Sequence, residues 1–410
     1  MLAKSGKTAR FWPLVAMIAS LTIVNIAGAV SVDVSAALQT GDPLDNGCGL
    51  LKDCDPTPLS ESSYKNFYQT DKSTWHSLGL DPKLLHINEI AVGFVPGFLE
   101  KENPNKPEDI NKKLFKPMSI MGDYISISSW DKEFKAIDWH IKTVQNLKGN
   151  PVWCIALMPS EGLDSISYHV ANRIAMKMKQ VNDLGITVWL RFAHEMNGEW
   201  YTWGLQPEKF KEKWEMLARE VKRVTNRTYM LWSPNAMFGH GVGERRGGYS
   251  PYWPDPSTVD ICGLSFYHWG IADKRTNVKP TRQEAIRKLY EFAQIYGRNG
   301  WNKPIIVAET AACYTTYAGT TNSVGGGFSE LEIKMTWLHL LVDRYIKRII
   351  PDLKAVIWFE VDKVESPPGT GKRYNEDFRL VLGNPEVSWA VRELFASYQN
   401  KELAKFSERQ

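Results

Sequence analysis

Residues 187–204 read T-V-W-L-R-F-A-H-E-M-N-G-E-W-Y-T-W-G. The run V-W-L is short, continuous and apolar, the pattern of a strand buried on both faces. It ends in Arg191, a His194–Glu195 pair, the turn signal Asn197-Gly198 and tryptophans at 200 and 203. A carboxyl at the mouth of a strand beside aromatic faces suits sugar chemistry. The acid protonates a leaving glycosidic oxygen, and the aromatic rings stack on the weakly polar faces of pyranoses.

A second carboxyl of this kind, Glu309, follows the apolar run P-I-I-V-A at 304–308. Working outward, strand-like runs occur at 89–95, 119–127, 152–158, 187–192, 228–232, 261–266, 304–308 and 355–359. Amphipathic segments separate most of them. Ile166, Val170, Ile174, Met178, Val181 and Leu184 recur at helical spacing, with Gly185 as a stop. Phe210, Trp214, Leu217, Val221 and Val224 repeat the pattern, and the Lys and Glu residues among them form a solvated face. Eight strands alternating with helices predict an α/β fold, a (β/α)8 TIM barrel with an N-terminal extension. A doubly wound sheet would want a Gly-rich phosphate loop after an early strand. G-E-R-R-G-G at 243–248 follows the fifth run and lacks that pattern. In a barrel, chemistry sits at the C-terminal ends of the strands, where both Glu195 and Glu309 fall.

The chain of 410 residues is 43% hydrophobic and 23% charged, which excludes disorder as the default and is ample for a large core. Its net charge of +4 comes without a basic block, so nucleic acid is not an expected partner. Lys4, Lys7 and Arg10 precede a charge-free apolar stretch at 11–30, followed by small residues at Ala27-Gly28-Ala29 and Val34-Ser35-Ala36. This is the pattern of a secretory signal over residues 1–36, and its length also suits an uncleaved type II membrane anchor. The favoured reading is secretion. Without residues 1–36 the net charge becomes +2, close to neutral, as suits an uncharged substrate. Residues 37–87 read as an irregular lead-in that wraps the outside of the domain or stays loose, and 88–400 as the catalytic domain. Cys48 and Cys54 flank a short loop that either closes as a disulfide on the secretory route or stays open. Cys154, Cys262 and Cys313 sit in or beside apolar runs and read as buried small hydrophobes. A zinc-protease motif starting at His194-Glu195 would need a second His where Gly198 stands. No metal or other cofactor is expected, and no protein partner is evident. Asn226-Arg227-Thr228 is a glycosylation sequon.

In this order, H-E-M-N-G-E-W-Y-T-W-G, M-L-W-S-P-N at 230–235, V-D-I-C-G-L-S-F-Y at 259–267, P-I-I-V-A-E-T at 304–310 and V-I-W-F-E-V-D-K at 356–363 resemble glycoside hydrolase family 26. Its best-known members are endo-β-1,4-mannanases. The resemblance spans most of 88–395 and implies a retaining endo-glycosidase acting on a β-mannan or related polysaccharide. Glu195 matches the family's general acid/base and Glu309 its nucleophile. His194 matches the histidine before the acid/base, and Trp200 an aromatic near the cleaved sugar. Tyr267 matches a tyrosine that hydrogen-bonds the nucleophile, and Trp358 a tryptophan that stacks under the sugar. Thr310-Ala311-Ala312 stands where the family more often has a Gly.

The residues themselves add further candidates. Arg191 is placed to stabilise the Glu309 charge, Trp203 is a second candidate platform, and Asn235, after W-S-P, is close enough in sequence to a strand end to reach the site. His268 and Trp269 either line the site or support the sixth loop. Asp123, in M-G-D-Y-I, is an open candidate, whereas Glu360 and Asp362 read as solvated or paired. The substrate class stays open between β-1,4-mannan and another β-glycan, such as mixed-linkage glucan or β-1,3-xylan. A non-catalytic polysaccharide-binding protein is the reading from another class, and it has no need of both glutamates.

Overall fold

Each of the eight apolar runs forms a parallel strand in the computed structural model, which describes residue 60 and residues 75–97, 105–128, 131, 133–236, 248–270, 276–366 and 371–407. The strands are β1 (Ile90–Pro96), β2 (Ile120–Ile127), β3 (Val152–Pro159), β4 (Val188–Phe192), β5 (Thr228–Trp232), β6 (Ile261–Ser265), β7 (Ile305–Thr310) and β8 (Leu353–Glu360). Each pairs in parallel with the next, and β8 pairs with β1, so the sheet closes into a barrel. The helices are α1 (Pro107–Lys113), α2 (Lys135–Asn146), α3 (Tyr168–Asp183), α4 (Pro207–Val224), α5 (Arg282–Tyr296), α6 (Glu330–Val342), α7 (Arg344–Ile349) and α8 (Pro385–Ser407). The two helical patterns read from sequence are α3 and α4. Ser167 caps α3 by accepting from the Val170 N–H, and Gly185 follows its end at φ 89°, the left-handed region that glycine enters without cost. Thr281 and Ser329 open α5 and α6 with reciprocal capping boxes. Between β5 and β6 the described residues hold only two 3-10 turns, Ser250–Tyr252 and Pro256–Thr258.

The pleat sorts the strand side chains into two cores. Val92, Phe94, Met121, Trp153, Leu190, Trp232, Leu264, Val307 and Trp358 point outward and pack among the helices. Ala91, Val95, Ile120, Cys154, Trp189, Leu231, Ile261, Ile306 and Ile357 point inward and fill the barrel. The interior is crowded: a Cβ on Gly122 would lie 2.4 Å from a Val95 methyl, and one on Gly263 2.8 Å from the Ala308 methyl.

The lead-in does not wrap the outside where it is described. Trp75, Leu78 and Leu80 join the interior core, and the Trp189 indole N–H donates to the Leu78 carbonyl at 2.9 Å. Gly79 lies against Thr187, at the start of β4, so this segment plugs the N-terminal mouth of the barrel. A plug forms here because parallel strands leave an apolar opening at the end away from the loops that carry chemistry, and three large side chains close it. The chain then enters β1 through a two-residue hairpin, with Asn88 and Glu89 at φ 46° and 65°. The signal segment 1–36 and the Cys48–Cys54 pair lie outside the described residues. Among the described residues no helix is long and apolar enough to cross a membrane.

Strand β7 carries one extra residue. Leu264 and Ser265 of β6 pair with Val307 and Glu309, and Val356 and Trp358 of β8 pair with Val307 and Thr310. This bulge after Val307 shifts the side-chain phase of β7. A three-stranded antiparallel sheet, Asp362–Glu365, Tyr374–Asp377 and Tyr314–Tyr317, stands on the connections that leave β7 and β8.

If the plug belongs to the cooperative fold, Trp75→Ala should lower the unfolding free energy by about 3 kcal/mol. Urea unfolding would then show a lower midpoint at an unchanged slope. An unmoved midpoint would separate the plug from the core.

Candidate active site

At the C-terminal ends of the strands the inward positions change from apolar to polar. Tyr124 of β2 is in register with Ala156 of β3, and Ala156 with Arg191 of β4. Ser233 follows β5, Ser265 ends β6, the bulge turns Glu309 inward from β7, and Phe359 faces in from β8. Arg191 links this layer. Its Nη1 donates to Glu309 Oε2 at 2.5 Å, its Nε to Ser233 Oγ at 2.9 Å, and its Nη2 to Ser265 Oγ. The guanidinium is 2% exposed and Glu309 7%. Burial is the largest single influence on the Arg191 pKa and pushes it down, but the charge of Glu309 and smaller contributions from Tyr124, Glu195 and Cys154 together outweigh it and hold the pKa above the usual value. The other Glu309 oxygen accepts the Tyr267 hydroxyl. Tyr267 keeps its proton because burial, and then the Glu309 charge, push its pKa well up.

Glu195 arrives by a strained route. Ala193 and Glu195 both have left-handed backbone, φ 46° and 54°. Neither is a glycine, and such conformations cost on the order of 1 kcal/mol or more each. Hydrogen bonds to both neighbouring strands hold them: Ala193 N–H donates to the Leu157 carbonyl at 3.0 Å, and Glu195 N–H to the Ser233 carbonyl at 2.8 Å. The Glu195 carboxyl accepts the Trp200 indole N–H at 2.8 Å on one oxygen and the Asn235 amide at 3.0 Å on the other. Asn235 is fixed by a reciprocal pair with Asn197, at 2.8 and 2.9 Å. Gly198 gives the Trp200 ring its place, since a Cβ there would lie 2.3 Å from it. Burial, and next the charge of Glu309, raise the Glu195 pKa against the opposing pull of Arg191, Asn235 and Trp200. The two carboxyls thus sit in one field with different partners. One is surrounded by neutral donors and biased toward its protonated form, while the other is clamped by a cation.

His194 is 1% exposed, with Nε2 3.2 Å from the Tyr201 hydroxyl. Its Nδ1 is buried with no hydrogen-bond partner among the described residues. Burial, then the charge of Arg191, hold its pKa well below the usual value, so the ring is neutral.

The structure therefore brings Glu195, Glu309, Arg191, His194, Trp200, Tyr267 and Asn235 to one place. Two expected platforms are not there. Trp358 points outward between barrel and helices, 1% exposed, its indole N–H donating to the Phe378 carbonyl at 2.7 Å. It falls in the outward phase of β8, and the ring facing the site is that of its neighbour Phe359, 6.0 Å from Tyr267 and 6.4 Å from Tyr124. Trp203 is 2% exposed, stacked on Tyr201 at 4.2 Å, with its N–H on the His194 carbonyl. It supports the loop from beneath and offers no free face.

Outward phase also turns three other residues away from the site: the open candidate Asp123, His268, which supports its loop, and Glu360, which is paired as expected. Asp123 is buried against His140 (2.6 Å) and the Trp153 indole (3.2 Å). His268 turns to Glu284 and the Val278 carbonyl. Glu360 accepts the backbone N–H groups of Leu380, Val381 and Leu382 at 2.6–2.8 Å. Trp269 stays partly exposed, 5.8 Å from Tyr267. Thr310 bonds the Trp337 indole, and Ala311 and Ala312 are buried. Cys154, Cys262 and Cys313 are free and buried, and burial pushes the Cys154 thiol up to about 12. Sequence reasoning missed Tyr124, Tyr201, Ser233, Ser265 and Phe359. The signal was present for the serines and Tyr124, as polar groups at the inward phase of otherwise apolar strands.

A sequence model of glycosyl hydrolase family 26 matches residues 119–330. A mannan endo-1,4-beta-mannosidase of Bacillus subtilis is 32% identical over 181 residues, 40% of this chain and 43% of that protein. Endoglucanase H of Acetivibrio thermocellus is 24% identical over 229 residues, 52% of this chain and 22% of that protein. The chain thus spans less than half the length of these curated relatives. Among solved structures, a double mutant of the Cellulomonas fimi endo-beta-1,4-mannanase aligns with a TM-score of 0.47 at 14% identity, covering 66% of this chain and 65% of that one.

Trp200→Phe and Asn235→Ala each remove a donor that favours the charged form of Glu195. Each should raise the Glu195 pKa further. Carboxyl titration by 13C NMR would show this, and a fall in either variant would contradict the site geometry. With the matched region covering just over half of its residues, the chain belongs to glycosyl hydrolase family 26.

Proposed function

We propose that this protein is a secreted, retaining endo-glycosidase that hydrolyses internal β-1,4-mannosidic bonds of mannans. The observation that carries the reading is the pairing of unlike environments: Glu195 is buried and pushed toward its neutral form, while Glu309 is held by Arg191 and Tyr267. In this reading Glu195 protonates the leaving oxygen as the Glu309 carboxylate attacks the anomeric carbon and a glycosyl-enzyme forms. Glu195, now ionised, takes a proton from water, whose oxygen displaces Glu309 and restores both groups. Arg191 and Tyr267 hold the nucleophile in place throughout. The unpartnered Nδ1 of neutral His194 is a polar atom that a sugar hydroxyl would satisfy. Trp200 is partly exposed beside Glu195 and offers an aromatic face to the sugar.

The mannan preference is supported by the mannosidase relative from Bacillus subtilis. The match to endoglucanase H favours a second reading, the same chemistry on a mixed-linkage β-glucan. Secretion is supported by the basic, apolar and small-residue sequence of 1–36.

Reducing-sugar release from mannan, lichenan and β-1,3-xylan decides the substrate, with mannan expected to dominate. Proton NMR of the first products should show the anomer of the substrate linkage, and an inverted anomer would remove Glu309 from the nucleophile's role. Glu309→Ala should lower turnover about a thousandfold or more while binding persists. The basic limb of the pH–kcat/KM profile should follow Glu195 and lie above the ordinary carboxylate range, since activity requires its protonated form.

A further inference from the structure

The side sheet leaves aromatic rings that neither the barrel nor the catalytic pair uses. Its strands leave the ends of β7 and β8, so it stands on the same face as Glu195 and Glu309. Antiparallel register puts Lys363, Glu376 and Thr315 in one row and Glu365, Tyr374 and Tyr317 in the next row on the same side, about 7 Å further along the strands. The first row packs inward: Glu376 and Thr315 are buried, and the Lys363 ammonium lies 5.5 Å from the Trp269 ring centroid and 5.3 Å from that of Phe378. Trp269 is partly exposed and adjoins Tyr267, which bonds the Glu309 carboxyl. In the second row Tyr317 and Tyr374 are partly exposed, 5.7 Å apart and tilted by 39°. Lys372, 5.6 Å from the Tyr317 ring, and Glu365 place charged groups around the pair.

The arrangement is a path: Tyr267 at the nucleophile, Trp269 beside it, Lys363 over Trp269, and then two tyrosines one row out. We propose that this sheet face extends the cleft, and that Tyr317 and Tyr374 hold a sugar of the β-glycan chain beyond those bound at the cleavage point. Polar groups interleaved with weakly polar ring faces suit a neutral polysaccharide, whose hydroxyls need partners and whose C–H faces need apolar cover. The inference rests on the reading of the barrel mouth as a glycan cleft. It adds that affinity depends on chain length through residues distant from the chemistry.

The test is calorimetric binding to the full-length Glu309→Gln protein, which does not depend on turnover. Mannohexaose and mannobiose serve as long and short probes. Adding Tyr317→Ala and Tyr374→Ala together should weaken hexasaccharide binding about tenfold and leave the disaccharide unchanged. The Tyr→Phe pair keeps both rings and should restore the long-chain affinity, which controls for disturbance of the sheet. An equal loss for both lengths, no loss for the hexasaccharide, or no hexasaccharide binding by the parent protein would overturn the subsite. Failure of the wild-type protein to release sugars would instead count against the hydrolase reading, with the binding ratio still deciding this one.

Discussion

A buried guanidinium sets the terms for the mouth of this barrel. Arg191 enters from β4 and donates to groups on or just after β5, β6 and β7 at once. A charge this far from water is tolerated only when it is paired and its remaining donors are used. The flat fork of arginine meets that condition with Glu309 and two serines, and a lysine would bring a single point of charge and a different donor geometry. Because the cation is fixed, Glu309 is fixed. The same charge helps keep His194 neutral and partly restrains the rise in the Glu195 pKa.

The acid side of the site is built differently. Glu195 lies on a left-handed stretch of loop that glycine would enter without strain, yet neither Ala193 nor Glu195 is glycine. The cost is borne by hydrogen bonds from that loop to the neighbouring strands and by the packing of Tyr201 and Trp203 under His194. A rigid support of this kind keeps the carboxyl against Trp200 and Asn235 instead of letting it swing toward Arg191. Two glutamates of the same chemistry thereby meet different partners, and the surroundings of Glu195 bias it toward its protonated form.

The phase of the pleat decided which candidates meet. Trp358, Asp123 and His268 are each one residue from a position that faces the site, and each is turned into the outer core with a partner of its own. Phe359, Tyr124 and Tyr267 take the inward places beside them. Glu309 would share the fate of the first group in a regular strand, because Ile306 and Ala308 already occupy the inward phase of β7. The bulge after Val307 brings it round.

Much of the fold was legible in the residues. The eight apolar runs, their alternation with helical patterns, and the position of Glu195 and Glu309 at strand ends depend on local periodicity, which a linear chain displays directly. So do the membership of Arg191 and Asn235 in the site's neighbourhood and the burial of the three strand cysteines. Side-chain direction at strand ends is another matter. It depends on pairing register and on one inserted residue in β7, and these are set by contacts between strands far apart in sequence. The same holds for the plug made by Trp75, Leu78 and Leu80, whose composition reads as loop until the open end of a barrel is there to receive it. The sequence by itself determined a parallel barrel and two acidic strand ends. Only the tertiary structure decided which rings face the cleft, because a shift of one residue moves a side chain from one side of a sheet to the other.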